Sequence, residues 1–135
     1  MYSFDISYRV TYADTDMMGY LYYGNYARLY EIGRVETMRS AGILYKDLEE
    51  VHKVMMPVVS VDARFIKPAK YDELLTIRTI MEEMPTKLII FKNEIFNSEK
   101  IFIHSAMVKL FFIDMTSNNR ISCPDWMTKI LNPHF

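Results

Sequence analysis

Apolar and polar residues alternate loosely over positions 3–12, the two-residue period of a strand. The period then lengthens. Between Asn25 and Ala41, Tyr26, Leu29, Tyr30, Gly33, Thr37 and Ala41 share one stripe at about 100° per residue, whereas Arg28, Glu31, Arg34, Glu36 and Arg39 lie off it. This predicts the main helix, with Asn25 as N-cap and Gly42 just past its end. A glycine inside a helix stripe weakens the helix by about 1 kcal/mol relative to alanine, so Gly33 is expected to allow close approach to a sheet.

The two-residue period returns in the second half. Val59, Val61, Ala63 and Phe65 alternate with Ser60, Asp62 and Arg64, predicting a strand with one buried face. Leu75, Ile77, Thr79 and Met81 alternate with Thr76, Arg78 and Glu82 in another. After a break at Pro85-Thr86, "KLIIFKNEIF" and "KIFIHSAMVKLFFID" read as two strands joined through Asn97-Ser98-Glu99. The last is apolar on both faces and is expected at the sheet centre. "MTSNNR" reads as a turn and "CPDWMTKIL" as a short final helix. One strand, one long helix and four more strands make an α+β domain, a largely antiparallel sheet with one helix on it, spanning residues 1–135. One helix covers one face only, and sheet edges need partners, so a homo-oligomer with a continuous sheet is expected.

The chain has 135 residues, half of them hydrophobic, and a formal net charge of −1. That suits one buried core and gives no bulk attraction to nucleic acid or anionic membrane. No apolar run approaches the ~20 residues of a membrane helix, and the start, "MYSFDISYRV", does not read as a signal peptide. Cys123 is the only cysteine, which excludes an internal disulfide and fits a cytoplasmic setting. His52, His104 and His134 are scattered without zinc-ligand spacing, so neither metal nor cofactor is expected.

Chemistry concentrates between Tyr12 and Tyr26, where Asp14 and Asp16 precede an aromatic, glycine-containing loop. The aspartates could simply bond nearby backbone amides in a turn. A calcium loop would match Asp14, Asp16 and Gly19, but Met18 and Asn25 stand where further ligands belong. A third reading uses the helix start. The loop delivers the chain to Gly24-Asn25, where amides are unpaired and carry the positive end of the helix dipole. Such amides polarise a carbonyl, and a carboxylate opposite them supplies a base or nucleophile. Gly24 lets a substrate oxygen approach its amide.

"YADTDMMGYLYYGNYARLYEIGR" resembles the opening of hotdog-fold acyl-CoA thioesterases of the 4-hydroxybenzoyl-CoA thioesterase branch, and "MPVVSVDARFIKPAKYDELLTI" supports the likeness. The resemblance implies a five-stranded sheet wrapped around a long central helix, paired into dimers and often tetramers, with the site at the dimer interface. It places the catalytic carboxylate on Asp16 and the carbonyl-polarising amide on Tyr23, with Gly24 beside it. Asp14 matches a frequent family residue without direct chemistry. Met17 and Met18 replace smaller residues and bear on the acyl pocket, while Tyr23 stands where some relatives carry histidine.

Coenzyme A needs cations at the site mouth. Arg64, Lys67 and Lys70 lie around one strand end, and the resemblance brings Lys87 and Arg120 to the nucleotide. For any one of them, solvated surface charge is the plainer reading. Ser60 could face the thioester or pack in the sheet. Glu31 is a reserve carboxylate, more simply paired with Arg28 or Arg34. His104 reads as a packed core histidine, and Cys123 lacks a neighbouring base. The expected activity is hydrolysis of a fatty or aryl thioester, carried on coenzyme A or an acyl carrier protein. A hotdog dehydratase would want a histidine in the loop, and a non-catalytic thioester-binding module would lose the carboxylate.

Overall fold

The computed structural model describes residues Met1–Phe135. Strand β1 (Tyr2–Arg9) leads through a turn at Tyr12–Asp14 and a loop to a single 3-10 turn, Tyr23–Asn25, and the long helix α1 (Tyr26–Ser40). Helix α2 (Tyr45–Glu50) and strands β2 (Val54–Met55), β3 (Val58–Phe65), β4 (Leu74–Met81), β5 (Leu88–Phe96), β6 (Phe102–Asp114) and β7 (Asn119–Ile121) follow, and helix α3 (Asp125–Leu131) closes the chain. All pairings are antiparallel. The long strands run β1-β4-β5-β6-β3, and β2 and β7 add to the far end of β6. This is the expected α+β architecture, an antiparallel sheet on one long helix.

The predicted stripe is the buried face of α1: Tyr26, Leu29, Tyr30, Gly33 and Thr37 are buried, joined by Met38. Gly33 sits where the helix crosses β4. A Cβ there would lie 2.4 Å from Thr79 Oγ1 and 3.3 Å from Ile77 Cγ2, so only glycine allows this approach. The sheet answers with alternate residues, Leu75, Ile77 and Met81 from β4 and Ile89, Phe91 and Ile95 from β5, all fully buried. Burial of such side chains contributes about 1.5–3 kcal/mol each.

Strand β6 is interior, as expected, bonded to β5 on one side and to β3 on the other, although its second face, with Lys109 exposed, is only partly covered. Other expectations are corrected. Strand β3 buries neither face: Val61 is 49% and Phe65 54% exposed. The reason is geometric, since α1 packs on β1, β4 and β5 and leaves β3 overhanging. Asn25 makes no side-chain cap on α1; its backbone is already helical (φ −93°, ψ −8°), whereas a capping residue is extended. Finally, α2 lies in a stretch where the sequence pattern predicts no element, and the "MTSNNR" turn holds over Met115–Asn118 while its last two residues open β7.

Candidate active site

The two aspartates of the opening loop have different surroundings. Asp14 is 1% exposed. Its Oδ2 accepts the Tyr8 hydroxyl (2.8 Å), the Thr11 amide (2.8 Å) and the Thr11 hydroxyl (3.0 Å), and Oδ1 accepts Arg28 (2.5 Å). Burial pushes the Asp14 carboxyl pKa up, but the Thr11 amide, the Tyr8 and Thr11 hydroxyls and Arg28 outweigh it and hold it below the usual carboxylate range. Every strong acceptor site is used, so Asp14 is a brace between β1 and α1.

Asp16 stands at the tip, half-buried. Its Oδ1 accepts the amides of Met18 (2.9 Å) and Tyr20 (3.2 Å), and Oδ2 takes no bond within the chain. The loop turns back at Gly19, whose φ of +78° suits a residue without a side chain. It is sealed by a bridge from Thr15 to Leu21 and by bonds to the segment after β3: Leu21 N–H to Ala69 O (2.8 Å) and Tyr71 N–H to Gly19 O (2.9 Å). The turn reading is therefore correct for half of the Asp16 carboxylate, leaving the other oxygen available.

Beyond Leu21 the chain enters the 3-10 turn. The amides of Tyr23 and Gly24 donate to no backbone carbonyl. The Tyr22 ring lies over Gly24, where a Cβ would come 2.7 Å from its Cε2. The Tyr22 hydroxyl pKa is raised, first by its neighbour Tyr23 and in smaller part by the Asp16 charge. Tyr23, Met17 and Met18 are exposed, presenting apolar surface on the same loop as Asp16.

The remaining candidates divide between the two ends of β3. Lys67, exposed, follows the strand, with its amide on Ile103 O (3.1 Å), next to the segment that seals the Asp16 loop. Arg64 and Lys70 share this end. Ser60 lies toward the other end, opposite Lys109 on the sheet face turned from α1. Lys87 and Arg120 meet at that far end, lining one surface cleft with Ile121 and Ser122, and the Arg120 guanidinium lies over the Phe111 ring. From His104, level with Phe65, to Ile113, level with Arg120, the path along β6 is roughly 30 Å at ~3.3 Å per residue. One chain thus sets Asp16, Tyr23, Gly24 and Lys67 near one end of β3, and Ser60, Lys87 and Arg120 toward the other.

Glu31 is exposed and pairs with neither arginine: Arg28 is on Asp14, and the helix pair that forms is Glu36–Arg39 (3.3 Å). His104 is a core histidine, fully buried, stacked on Tyr26 (4.1 Å between centroids) and bonded to the Tyr30 hydroxyl. Burial lowers its pKa to about 4. Burial raises the Cys123 thiol, and its neighbour is the Thr128 hydroxyl, which is no base. No three His, Cys, Asp or Glu side chains are grouped to hold a metal ion, and no helix is long and apolar enough to cross a membrane.

Residues 10–131 match the profile of the thioesterase-like superfamily. The chain belongs to that superfamily. Among relatives, YneP of Bacillus subtilis, provisionally named an acyl-CoA thioesterase, is 31% identical over 123 residues covering 88% of each chain. The acyl-CoA thioester hydrolase YbgC of Escherichia coli O157:H7 is 29% identical over 106 residues, 78% of each chain. Among solved structures, a DHNA-CoA thioesterase from Staphylococcus aureus superposes with a TM-score of 0.86 at 26% identity, covering 99% of this chain and 95% of that one. The 4-hydroxybenzoyl-CoA thioesterase of a Pseudomonas shares the fold at 21% identity, with a TM-score of 0.85 over 96% of this chain and 99% of that one. The hotdog fold and the enzyme class, a thioesterase, thus agree with the resemblance of the opening loop.

Proposed function

We propose that this superfamily member hydrolyses acyl-CoA thioesters, with Asp16 as catalytic carboxylate and the Tyr23 amide as carbonyl-polarising donor. The observation that carries this reading is that one loop holds both a carboxylate oxygen free of internal bonds and, where it enters α1, two amides that donate to no backbone carbonyl. The thioester carbonyl rests on the Tyr23 N–H, with the Gly24 N–H beside it. Asp16 then either attacks the carbonyl carbon, expelling the thiolate and leaving a mixed anhydride that water hydrolyses, or takes the proton of a water that attacks directly. Both routes end in free acid and thiol. Amides held on a developing oxyanion lower the barrier by roughly 3–4 kcal/mol, and a general base contributes on the order of 10²–10⁴ in rate. The names of the YneP and YbgC relatives support coenzyme A as the carrier.

The site is completed in this reading by a second copy. Strand β3 has one neighbour, β6, and an open apolar edge carrying Val59, Val61 and Phe65. Antiparallel pairing of two β3 edges about a two-fold axis sets the Ser60, Lys87 and Arg120 end of one chain beside the Asp16 end of the other. Cations then approach the coenzyme A phosphates while the carboxylate approaches the thioester.

Thiol release from short, long and aryl acyl-CoAs tests the reading, with Asp16→Asn beside the wild type. A loss of at least ~10²-fold in a folded Asp16→Asn protein is expected. Equal rates would reduce Asp16 to a loop-builder, and a wild type inert on coenzyme A and carrier-protein thioesters alike would favour a binding module.

A further inference from the structure

The Tyr23 and Gly24 amides are free between two residues that are held. Tyr22 is bonded through both backbone groups: its N–H donates to Asp14 O (2.9 Å), and its carbonyl accepts the Asn25 N–H (2.9 Å). The Asn25 side chain then reaches back, and its Nδ2 donates to the same Asp14 carbonyl oxygen (2.8 Å). One oxygen therefore gathers a donor from each side of Tyr23-Gly24. That oxygen is fixed in turn, because the Asp14 N–H is bonded to Thr11 O (3.1 Å), the Thr15 N–H to Tyr12 O (3.2 Å), and the Asp14 carboxylate to Tyr8, Thr11 and Arg28.

We propose that Asn25 is a positioning residue for the reaction: its side-chain amide clamps the Tyr22–Asn25 turn onto the Asp14 carbonyl and so aims the Tyr23 N–H at the substrate carbonyl. The inference rests on the thioesterase reading above. It gives the Asn25 side chain a task that capping would not. A capping asparagine turns its oxygen onto the helix amides that follow; here Nδ2 points backwards and ties down the chain before the free amides. A donor on an oxyanion works only when held, and a displacement of about 1 Å costs on the order of 10²-fold in rate.

The test compares Asn25→Asp, Asn25→Ala and Asn25→Gln with the wild type, using the acyl-CoA the wild type turns over best and thermal melts as a fold control. Ionised aspartate keeps the shape but has no hydrogen to donate, alanine removes the clamp without adding charge, and glutamine keeps the donor on a longer arm. In Asn25→Asp and Asn25→Ala, kcat is expected to fall at least ~10-fold with KM within about 2-fold, the signature of an interaction lost in the transition state. Asn25→Gln is expected to recover part of kcat. The kcat ratio of Asn25→Asp to wild type is expected to rise toward pH 4–5, roughly the carboxyl range, as the new side chain protonates and regains a donor. A folded Asn25→Ala with kcat within about 2-fold of wild type, or with the change confined to KM, would overturn the proposal. A wild type that releases no thiol would overturn the thioesterase reading, and this inference with it.

Discussion

Asp14 and Asp16 stand two positions apart and show how far a residue's surroundings decide its task. Asp14 spends both oxygens on Tyr8, Thr11 and Arg28, and removing it leaves a guanidinium and several donors without their acceptor. Asp14→Ala is therefore expected to cost about 2–3 kcal/mol, read by urea denaturation. Because the folded state holds this carboxyl pKa down, its contribution is present above the ordinary carboxylate pKa and is lost as pH falls through the lower folded value. His104 works on a different pH window. Its pKa falls from 6.5 to about 4 on burial, so the unfolded chain takes up the proton first. The stability it contributes is complete above pH 6.5 and drains away toward pH 4. His104→Phe is expected to flatten the melting temperature across that interval. The aspartate pair was legible in the sequence, but the partner of Arg28 was not: it lies fourteen positions back and is met only because α1 crosses the end of β1. Asn25 misled for a similar reason, since an asparagine before a helix stripe signals a cap whichever way its side chain turns.

At the scale of elements, the period of apolar residues located α1 and the long strands because each lays one face on a shared core. It failed for β3, whose apolar alternation promises burial that one chain does not provide, and for α2, β2 and β7, which are too short to show a period. Gly33 is the clearest link between sequence and packing. Alanine would favour the isolated helix by about 1 kcal/mol, yet its Cβ would meet Thr79 Oγ1 at 2.4 Å. Gly33→Ala is therefore expected to destabilise the protein by about 1–3 kcal/mol. Thr79→Ala in the same chain removes the atom that is struck, and thermal melts should show the double variant regaining part of the loss.

On the scale of the whole molecule, the sheet ends in an apolar edge, and the two groups of candidate residues lie at opposite ends of it. Charge on that edge opposes strand pairing. If the proposed β3 pairing forms, Val61→Lys is expected to shift the protein toward monomer in size-exclusion chromatography with light scattering, and to lower thiol release with it. The same separation has a genetic meaning. If each site draws its carboxylate from one chain and its cations from the other, two defective proteins carry complementary lesions. Asp16→Asn homodimers and Lys87→Ala/Arg120→Ala homodimers, unfolded together and refolded as a mixture, would assemble hybrids with both lesions in one site and none in the other. About a quarter of all sites would then be whole, as random pairing under two-fold symmetry requires. Activity recovered from two impaired parents would mark a site divided between chains.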